Sequence, residues 1–331
     1  MELHTSIIRA GVMRGWVALF FLMGLPALAR PQTDPPAAPP EPYKISVSVD
    51  SVVLVASVRN HKGAPVSGLG KEDFEVYEDG ARQQISFYSH EDIPVTVGLV
   101  VDNSGSMRPK RAEVIAAALA FAHSSNALDQ MFVVNFNEHV SFGLPTDLPF
   151  TDQPGQLQTA LSRIKADGQT ALYDAVAAAL EHLKQGDRDK KVLIVASDGG
   201  DNSSKLTLEQ VLALARKSDA IIYTVDIYDE DDQERNPTAL KRLSKATGGE
   251  TFRVENLPEV VPICEQIARD IRSQYTLAYT STNPKQDGTY RAIQVKGRGP
   301  GAGRVAVRTR AGYYAYPKPL PALVGSQIIR P

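Results

Sequence analysis

The chain has 331 residues, 43% of them hydrophobic and 22% charged, a composition typical of a folded protein of about two domains. Its formal net charge of -2, with acidic and basic residues interspersed, excludes a general binder of nucleic acid or of anionic membrane surfaces. The single cysteine, Cys264, excludes an internal disulfide framework, and its apolar surroundings predict a small buried side chain.

Residues 1–29 have the layout of a secretory signal peptide. Arg9 and Arg14 precede an apolar run over residues 16–29, and Ala27-Leu28-Ala29 offers an A-x-A cleavage site. The run is shorter than the roughly 20 residues that cross a bilayer, so a retained membrane anchor is the less favoured alternative. We therefore expect an exported protein, in the periplasm, on the cell surface or in the medium. After cleavage, we expect no stable membrane insertion.

The next two segments differ in composition and in period. Residues 30–42 form a proline-rich linker, which cannot join the interior of a sheet. From residue 43 to residue 92, apolar and polar side chains alternate, which predicts an N-terminal β segment. Asp79-Gly80 predicts a tight hairpin between the strand at Phe74–Tyr77 and a strand at Ile85–Phe87.

Residues 93–273 show strands that alternate with helices. The predicted strands are Val95–Val101, Met131–Phe136, Val192–Ala196, Ile221–Val225 and Thr251–Val254. The predicted helices are Arg111–Ala122, Gln156–Lys165, Ala171–Lys184, Thr207–Arg216, Thr238–Thr247 and Pro258–Arg272. This alternation predicts a largely parallel sheet covered by helices on both faces.

The two-residue period returns in residues 274–316. The predicted strands there are Tyr275–Tyr279, Ile293–Val295 and Val305–Val307, and we expect Gly297–Gly303 to be a hairpin connection. Neither flank obviously makes a complete sandwich by itself. We therefore expect residues 274–316 to pair with residues 43–92, so that the α/β domain is an insertion in one β domain. Residues 317–331 form a C-terminal tail.

Polar side chains gather where strands of the α/β region end or helices begin. Asp102, Ser104 and Ser106 follow the first strand, Thr170 precedes the third helix, and Asp198 follows the strand Val192–Ala196. Each of these residues, taken alone, could have only a structural role, because Asp and Gly form turns and Thr caps helices. Parallel strands, however, bring their carboxyl ends to one edge, where ligands collect. Hard oxygen ligands suit Mg²⁺, with Mn²⁺ or Ca²⁺ as alternatives.

The order D-x-S-x-S, then Thr, then Asp resembles the metal-ion-dependent adhesion site of von Willebrand factor A domains, and all five positions match. The resemblance covers residues 93–273. The flanks, with Lys71–Gly80 and Gly312–Ala315, further resemble a bacterial group of exported proteins related to this family. The implied fold is a Rossmann-like α/β domain, inserted in or flanked by a small antiparallel β-sandwich. Its sheet would have six strands, mostly parallel, with helices on both faces and Val140–Phe142 as the antiparallel edge strand.

The resemblance also implies a non-enzymatic, adhesion-type module that binds a protein through Mg²⁺. Asp102 and Asp198 would balance the charge, hydroxyl groups and water would complete the shell, and an acidic residue of the protein ligand would take the open position. One alternative is a scaffold component of an envelope assembly. A less favoured alternative is a Mg²⁺-dependent hydrolase that uses Arg108, Lys110 and Arg111 as a clamp. The sequence contains no G-x-S-x-G, H-E-x-x-H or G-x-x-x-x-G-K-[ST] motif.

Two further acidic features fall near the same edge. The run Asp229–Asp232 follows the strand Ile221–Val225, and we expect a solvated acidic loop there rather than a second cation site. Asp201 is a candidate for a supporting role and stays outside the predicted metal ligands.

Overall fold

The computed structural model describes residues 51–227, 234–300 and 303–316. The predicted signal peptide, the proline-rich linker, residues 43–50, the Asp229–Asp232 run and the C-terminal tail lie outside the described residues. Within the three described ranges, no helix is both long and apolar enough to cross a membrane.

The N-terminal flank contributes four strands: β1 (Ser51–Arg59), β2 (Phe74–Glu78), β3 (Ala81–Gln83) and β4 (Ile85–Ser89). The predicted turn is present, since Asp79 and Gly80 have φ angles of 47° and 83°, as a tight hairpin turn requires. The predicted hairpin partner is wrong, however. β2 pairs with β3, whereas β4 belongs to a different sheet. Ile85 of β4 is buried in the core between the sheets, so the two-residue period hides the change of sheet.

The α/β region begins with the strand β5 (Val95–Asp102), and it follows the predicted alternation closely. The other strands are β6 (Gln130–Phe136), β7 (Val140–Phe142), β8 (Lys190–Ser197), β9 (Ala220–Ile227) and β10 (Thr251–Val254). The helices are α1 (Arg111–Ser124), α2 (Pro154–Ser162), α3 (Leu172–Leu183), α4 (Leu208–Lys217), α5 (Pro237–Thr247) and α6 (Val260–Arg272).

These strands form one sheet in the order β10-β9-β8-β5-β6-β7, with β7 antiparallel and the others parallel. Every residue of β5 and β9 is buried, as expected for strands covered on both faces. Helix α5 ends at Thr247 and is capped by Gly248, whose φ of 83° is the left-handed conformation that favours glycine. The predicted sheet and its antiparallel edge strand are confirmed.

The C-terminal flank adds β11 (Tyr275–Thr280), β12 (Tyr290–Gly297), β13 (Ala306–Arg308) and β14 (Gly312–Tyr314). Two antiparallel sheets result, in the orders β13-β1-β11-β4 and β14-β12-β2-β3. Each sheet therefore contains strands from both sides of the α/β region, and the predicted fold class is confirmed. The Gly297–Gly303 loop is not a simple hairpin, because β12 and β13 belong to different sheets and only an isolated bridge joins Arg298 to Arg304.

Two hydrophobic cores hold this architecture together. The larger lies between the parallel sheet and its helices, and it includes Cys264, which is buried as predicted. Burial raises the pKa of the Cys264 thiol to about 12, so the thiol stays protonated and behaves as an apolar group. The smaller core lies between the two antiparallel sheets and contains Leu54, Phe74 and Tyr275.

Candidate metal centre

The site lies where the order of the parallel sheet reverses. From β5 the chain passes to β6 on one side and later returns to β8 on the other, so the carboxyl ends of β5 and β8 border a crevice. Asp102 is the last residue of β5, and Asp198 directly follows β8. The loop before α3 reaches the same edge, where the Gly105 amide donates a 3.1 Å hydrogen bond to the Gly168 carbonyl.

Three of the predicted ligands are in direct contact. The Ser106 hydroxyl donates to Oδ2 of Asp198 over 2.8 Å, and its oxygen lies 3.2 Å from Oγ of Ser104. These contacts join loops that are 92 positions apart in the sequence. The two serines and the aspartate therefore form a continuous group of oxygen atoms, which is the type of donor that Mg²⁺ prefers.

Thr170 stands on the wall of the same crevice. Helix α3 begins at Leu172 with Ala171 at the N-cap position and no side-chain capping bond, so Thr170 is not used as a cap. Asn202 fixes the Thr170 backbone instead. Oδ1 of Asn202 accepts from the Thr170 backbone amide at 2.9 Å, and the Asn202 backbone amide donates to the Thr170 carbonyl at 3.0 Å. No residue in the described part of the chain forms a hydrogen bond with the Thr170 hydroxyl.

The oxygen group opens into a pocket of about 380 Å³. Four of the five predicted ligands line it, namely Ser104, Ser106, Thr170 and Asp198. Asp102 does not; it lies beneath the pocket and is 2% exposed. The structure therefore brings all five predicted residues to one place, with four at the surface of the pocket and one behind it.

Both carboxylate oxygens of Asp102 are held by hydrogen bonds. The Ser104 amide donates to Oδ1 at 2.8 Å, and the Ser197 hydroxyl donates to Oδ2 at 2.6 Å. Burial, followed by the negative charge of Asp198, raises the pKa of Asp102 to about 7, although the bonds from Ser197 and Ser104 act in the opposite direction. Two carboxylates thus share a poorly solvated site, where a divalent cation would offset their repulsion.

The donor set fits a hard divalent cation better than a zinc-type ion. Within the described ranges, no three His, Cys, Asp or Glu side chains come together as a metal site. The cluster combines two carboxylates with three hydroxyl groups, an all-oxygen set that suits Mg²⁺, Mn²⁺ or Ca²⁺.

Other residues at the site were not predicted from the sequence. Asn202 and Glu234 line the pocket, and Asn202 donates a side-chain hydrogen bond to Glu234. Both follow the carboxyl end of a parallel strand, and that position was the signal that could have found them. Ser197, the last residue of β8, gave a weaker signal, because a single serine beside Asp198 matches no motif.

Gly199 shapes the loop that carries Asp198. Its φ is 83°, and a Cβ at this position would lie 2.4 Å from the carbonyl oxygen of Asn236. The Gly200 amide then donates to Oδ1 of Asp198 at 3.0 Å. A glycine at position 199 is therefore needed for the turn that presents this carboxylate.

Several charged residues near the motif have structural roles. Arg108 binds Asp167 over 2.9 Å, and Arg111 donates to the Ile164 carbonyl, so both guanidinium groups brace the neighbouring loop. Asp201 accepts from the Tyr173 amide at 3.2 Å and from the Ser204 hydroxyl at 2.6 Å, next to the start of α3.

A pair of buried amide side chains supports the motif from below. Asn103 donates through Nδ2 to Oδ1 of Asn135 at 3.1 Å, and Nδ2 of Asn135 donates to the Ala160 carbonyl at 2.8 Å. Both asparagines are at most 1% exposed. They connect the first loop to β6 and α2 through direct hydrogen bonds.

A known protein family matches part of the α/β region. Residues 97–200 match the family model of the von Willebrand factor type A domain. No curated protein matches the sequence. Among solved structures, the chain is similar to a von Willebrand factor type A protein from Catenulispora acidiphila, with 13% identity, coverage of 80% of this chain and 73% of that one, and a TM-score of 0.48.

Two other solved structures are similar over about half of this chain. The conserved hypothetical protein BatB from Bacteroides thetaiotaomicron shows 18% identity over 54% of this chain and 100% of that one, with a TM-score of 0.42. The vWF domain of the type V pili tip protein Mfa5 from Porphyromonas gingivalis shows 13% identity over 54% of this chain and 95% of that one, with a TM-score of 0.44.

The parallel sheet, covered by helices on both faces and with an oxygen-rich crevice at its carboxyl edge, defines an open α/β domain. The family match identifies it further: the chain contains a von Willebrand factor type A domain. The predicted family resemblance is confirmed for this domain, whereas the resemblance to an exported bacterial group stays a prediction.

Proposed function

We propose that the chain is an exported, non-enzymatic module that binds a protein ligand through a divalent cation. The cation would be Mg²⁺ by preference, with Mn²⁺ or Ca²⁺ as alternatives, and its ligands would be Asp102, Ser104, Ser106, Thr170 and Asp198. The observation that carries the proposal is the contact of Ser106 with both Ser104 and Asp198 at an open pocket. A bound cation supplies an exchangeable position that a carboxylate of the partner can occupy.

Each part of the site has a definite task in this proposal. Ser104 and Ser106 would supply hydroxyl oxygens from the turn after β5, and Thr170 would supply a third from the loop before α3. Asp198 supplies negative charge at the pocket surface, while Asp102 supplies it from behind. The two carboxylates together balance the charge of a divalent cation. A carboxylate of the partner would therefore bind as an additional ligand at the open coordination position.

The pocket favours an exposed acidic side chain as the group that enters it. Its lining includes Gly168 and Gly200, which have no side chains to block a carboxylate. The described residues that line it include no lysine or arginine, so a cation is needed to attract an anion into a pocket that contains Asp198 and Glu234.

The proposal is tested by capturing partners from the envelope and the culture medium of the producing cell. Immobilised wild-type chain and an Asp102→Ala variant are compared with Mg²⁺ and with EDTA, after circular dichroism shows that the variant is folded. We expect the wild type with Mg²⁺ to retain a protein that is lost with EDTA and with the variant. Acidic residues of that protein are then replaced one by one, and one replacement should abolish binding. Binding that survives both EDTA and Asp102→Ala would contradict the proposal.

A further inference from the structure

A second cavity, of about 440 Å³, lies at the amino ends of β8 and β9. Its other walls are the end of α4, the strand β1 and the segment from Thr309 to Tyr316. It therefore sits between the α/β domain and the β-sandwich, and none of the five proposed metal ligands lines it. Its volume falls in the range of about 300–1,000 Å³ that is usual for small-molecule sites, which often occur where domains meet.

The lining of this junction cavity is rich in basic residues. The lining contains five basic residues: Lys190, Lys191, Arg216, Lys217 and Arg310. It contains two acidic residues, Asp189 and Asp219. Such a lining favours a ligand with negative charge.

Three of the basic side chains already have partners. Nζ of Lys190 donates to the Ile271 carbonyl at 3.2 Å. Nζ of Lys191 donates to backbone carbonyls at the end of α3. Arg310 binds Oδ1 of Asp219 over 3.1 Å. Their charges are thus engaged in fixing the walls of the cavity.

The Arg216 side chain differs from these three in its hydrogen bonding. Its backbone carbonyl accepts from Arg310 at 3.3 Å, but its guanidinium forms no hydrogen bond or ion pair with another residue of the described ranges. The side chain is half-buried, so it presents a partly desolvated cation at the wall of the cavity. A guanidinium in this setting is suited to a carboxylate, which it can bind through two parallel hydrogen bonds.

Aromatic rings also line the cavity. Tyr316 is 50% exposed, and its ring stacks on Tyr314 with a centroid distance of 5.9 Å and an interplanar angle of 28°. Nζ of Lys217 lies 5.8 Å from the centre of the Tyr316 ring. Among the lining residues, Oγ1 of Thr309 is buried and has no hydrogen-bond partner within the described part of the chain. The cavity thus offers a flat apolar surface together with an unused polar group.

We propose that the junction cavity binds a small organic anion with a flat apolar body, the class to which aromatic carboxylates belong. Arg216 would pair with the carboxylate, the Thr309 hydroxyl would donate a hydrogen bond to it, and Tyr314 and Tyr316 would cover the ring. This binding would be independent of the metal centre, which lies at the opposite ends of the parallel strands.

Benzoate is the probe, with benzamide as its neutral counterpart of the same shape. Both are titrated into the full chain in EDTA, so that no metal-bound position can accept the carboxylate, and binding is followed by chemical shifts in NMR spectra. We expect saturable benzoate binding that is at least about tenfold tighter than benzamide binding, because one charge-assisted pair is lost in benzamide. No saturation at millimolar benzoate, or equal binding of the two compounds, would overturn the proposal.

Variants locate the binding. We expect Arg216→Gln and Tyr316→Ala each to weaken benzoate binding about tenfold, while the exposed control Arg82→Gln leaves it unchanged. Unchanged unfolding midpoints show that the variants are folded. Benzoate binding that is the same in Arg216→Gln, in Tyr316→Ala and in the wild type would overturn the proposal, because the anion would then bind elsewhere.

Discussion

The Ser197 hydroxyl lies 2.6 Å from Oδ2 of Asp102 and thereby joins the carboxyl ends of the neighbouring strands β8 and β5. Ser197 is fully buried, and its oxygen also accepts from the Gly199 amide at 3.0 Å. One small side chain thus fixes the carboxylate behind the pocket and the loop that carries Asp198.

Removal of this hydroxyl is expected to weaken metal binding without unfolding the domain. In Ser197→Ala, Oδ2 of Asp102 loses its hydrogen bond from Ser197, and we expect Mg²⁺ affinity to fall by about 10–100-fold, as is usual when a supporting partner of a metal ligand is removed. Calorimetric titration with Mg²⁺ measures the change, and the exposed serine variant Ser162→Ala is the control. Equal affinities in Ser197→Ala and Ser162→Ala would contradict a positioning role.

The buried asparagine pair is expected to contribute to stability. In Asn135→Ala, the buried Ala160 carbonyl loses the hydrogen bond from Asn135, and the Asn103 side-chain amide keeps only its bond to the Val101 carbonyl. We expect the free energy of unfolding to fall by about 2 kcal/mol or more, since each unsatisfied buried group costs about 1–3 kcal/mol. Urea denaturation measures this. A variant as stable as the wild type would show that the pair is dispensable.

An ion-pair cluster joins the β-sandwich to the α/β domain. Arg59 of β1 binds Glu250 over 3.0 Å and also binds Asp270 of α6, and Arg308 of β13 binds the same Glu250. Arg59→Met would leave two acidic groups near each other with less positive charge. We expect a loss of about 3 kcal/mol in urea denaturation, as is common when one partner of a buried ion pair is removed.

The control for Arg59→Met is Arg82→Met. Arg82 lies 3.7 Å from Glu75 with a side chain that is 68% exposed, so its removal should cost less than about 1 kcal/mol. Equal losses in the two variants would contradict a special role of the cluster between the domains.

The pH dependence of stability should include a contribution from Asp129. Burial raises the pKa of this carboxyl to about 6 from its ordinary value of 3.8. The folded chain therefore holds the proton more tightly than the unfolded chain, and between about pH 4 and pH 6 this group lowers stability as the pH rises. We expect the free energy of unfolding of Asp129→Asn to decline less over this range than that of the wild type. Urea denaturation at several pH values tests this, and identical slopes would contradict it.

Much of the fold was predictable because its signals are local. The apolar run of β5 and the 3.6-residue period of α4 are visible in contiguous residues and do not depend on which elements pack beside them. The alternation of strands and helices could therefore be predicted from the sequence. The change of sheet between β3 and β4 could not, because Gln83 and Ile85 are both buried and keep the same alternation. Which sheet a strand joins is decided by distant partners such as β11.

The candidate site divides in the same way. The five proposed ligands were predictable because each is a polar residue at a strand end or a helix start, and their order resembles a known motif. Ser197 and Asn135 were not, because each is one polar residue next to apolar neighbours near the end of its strand, and no motif marks it. Their roles depend on which strands are neighbours in the sheet. Whether the five residues hold a metal stays a prediction.

The most direct test of the account is calorimetric titration of Mg²⁺ into the full chain after treatment with EDTA. Wild type, Asp102→Asn and Ser106→Ala are compared with Ser162→Ala as the matched control. The account predicts one Mg²⁺ per wild-type and control chain, with affinity reduced at least about tenfold in each site variant. An absence of Mg²⁺ binding by the folded wild type, or equal affinity in all four chains, would contradict it.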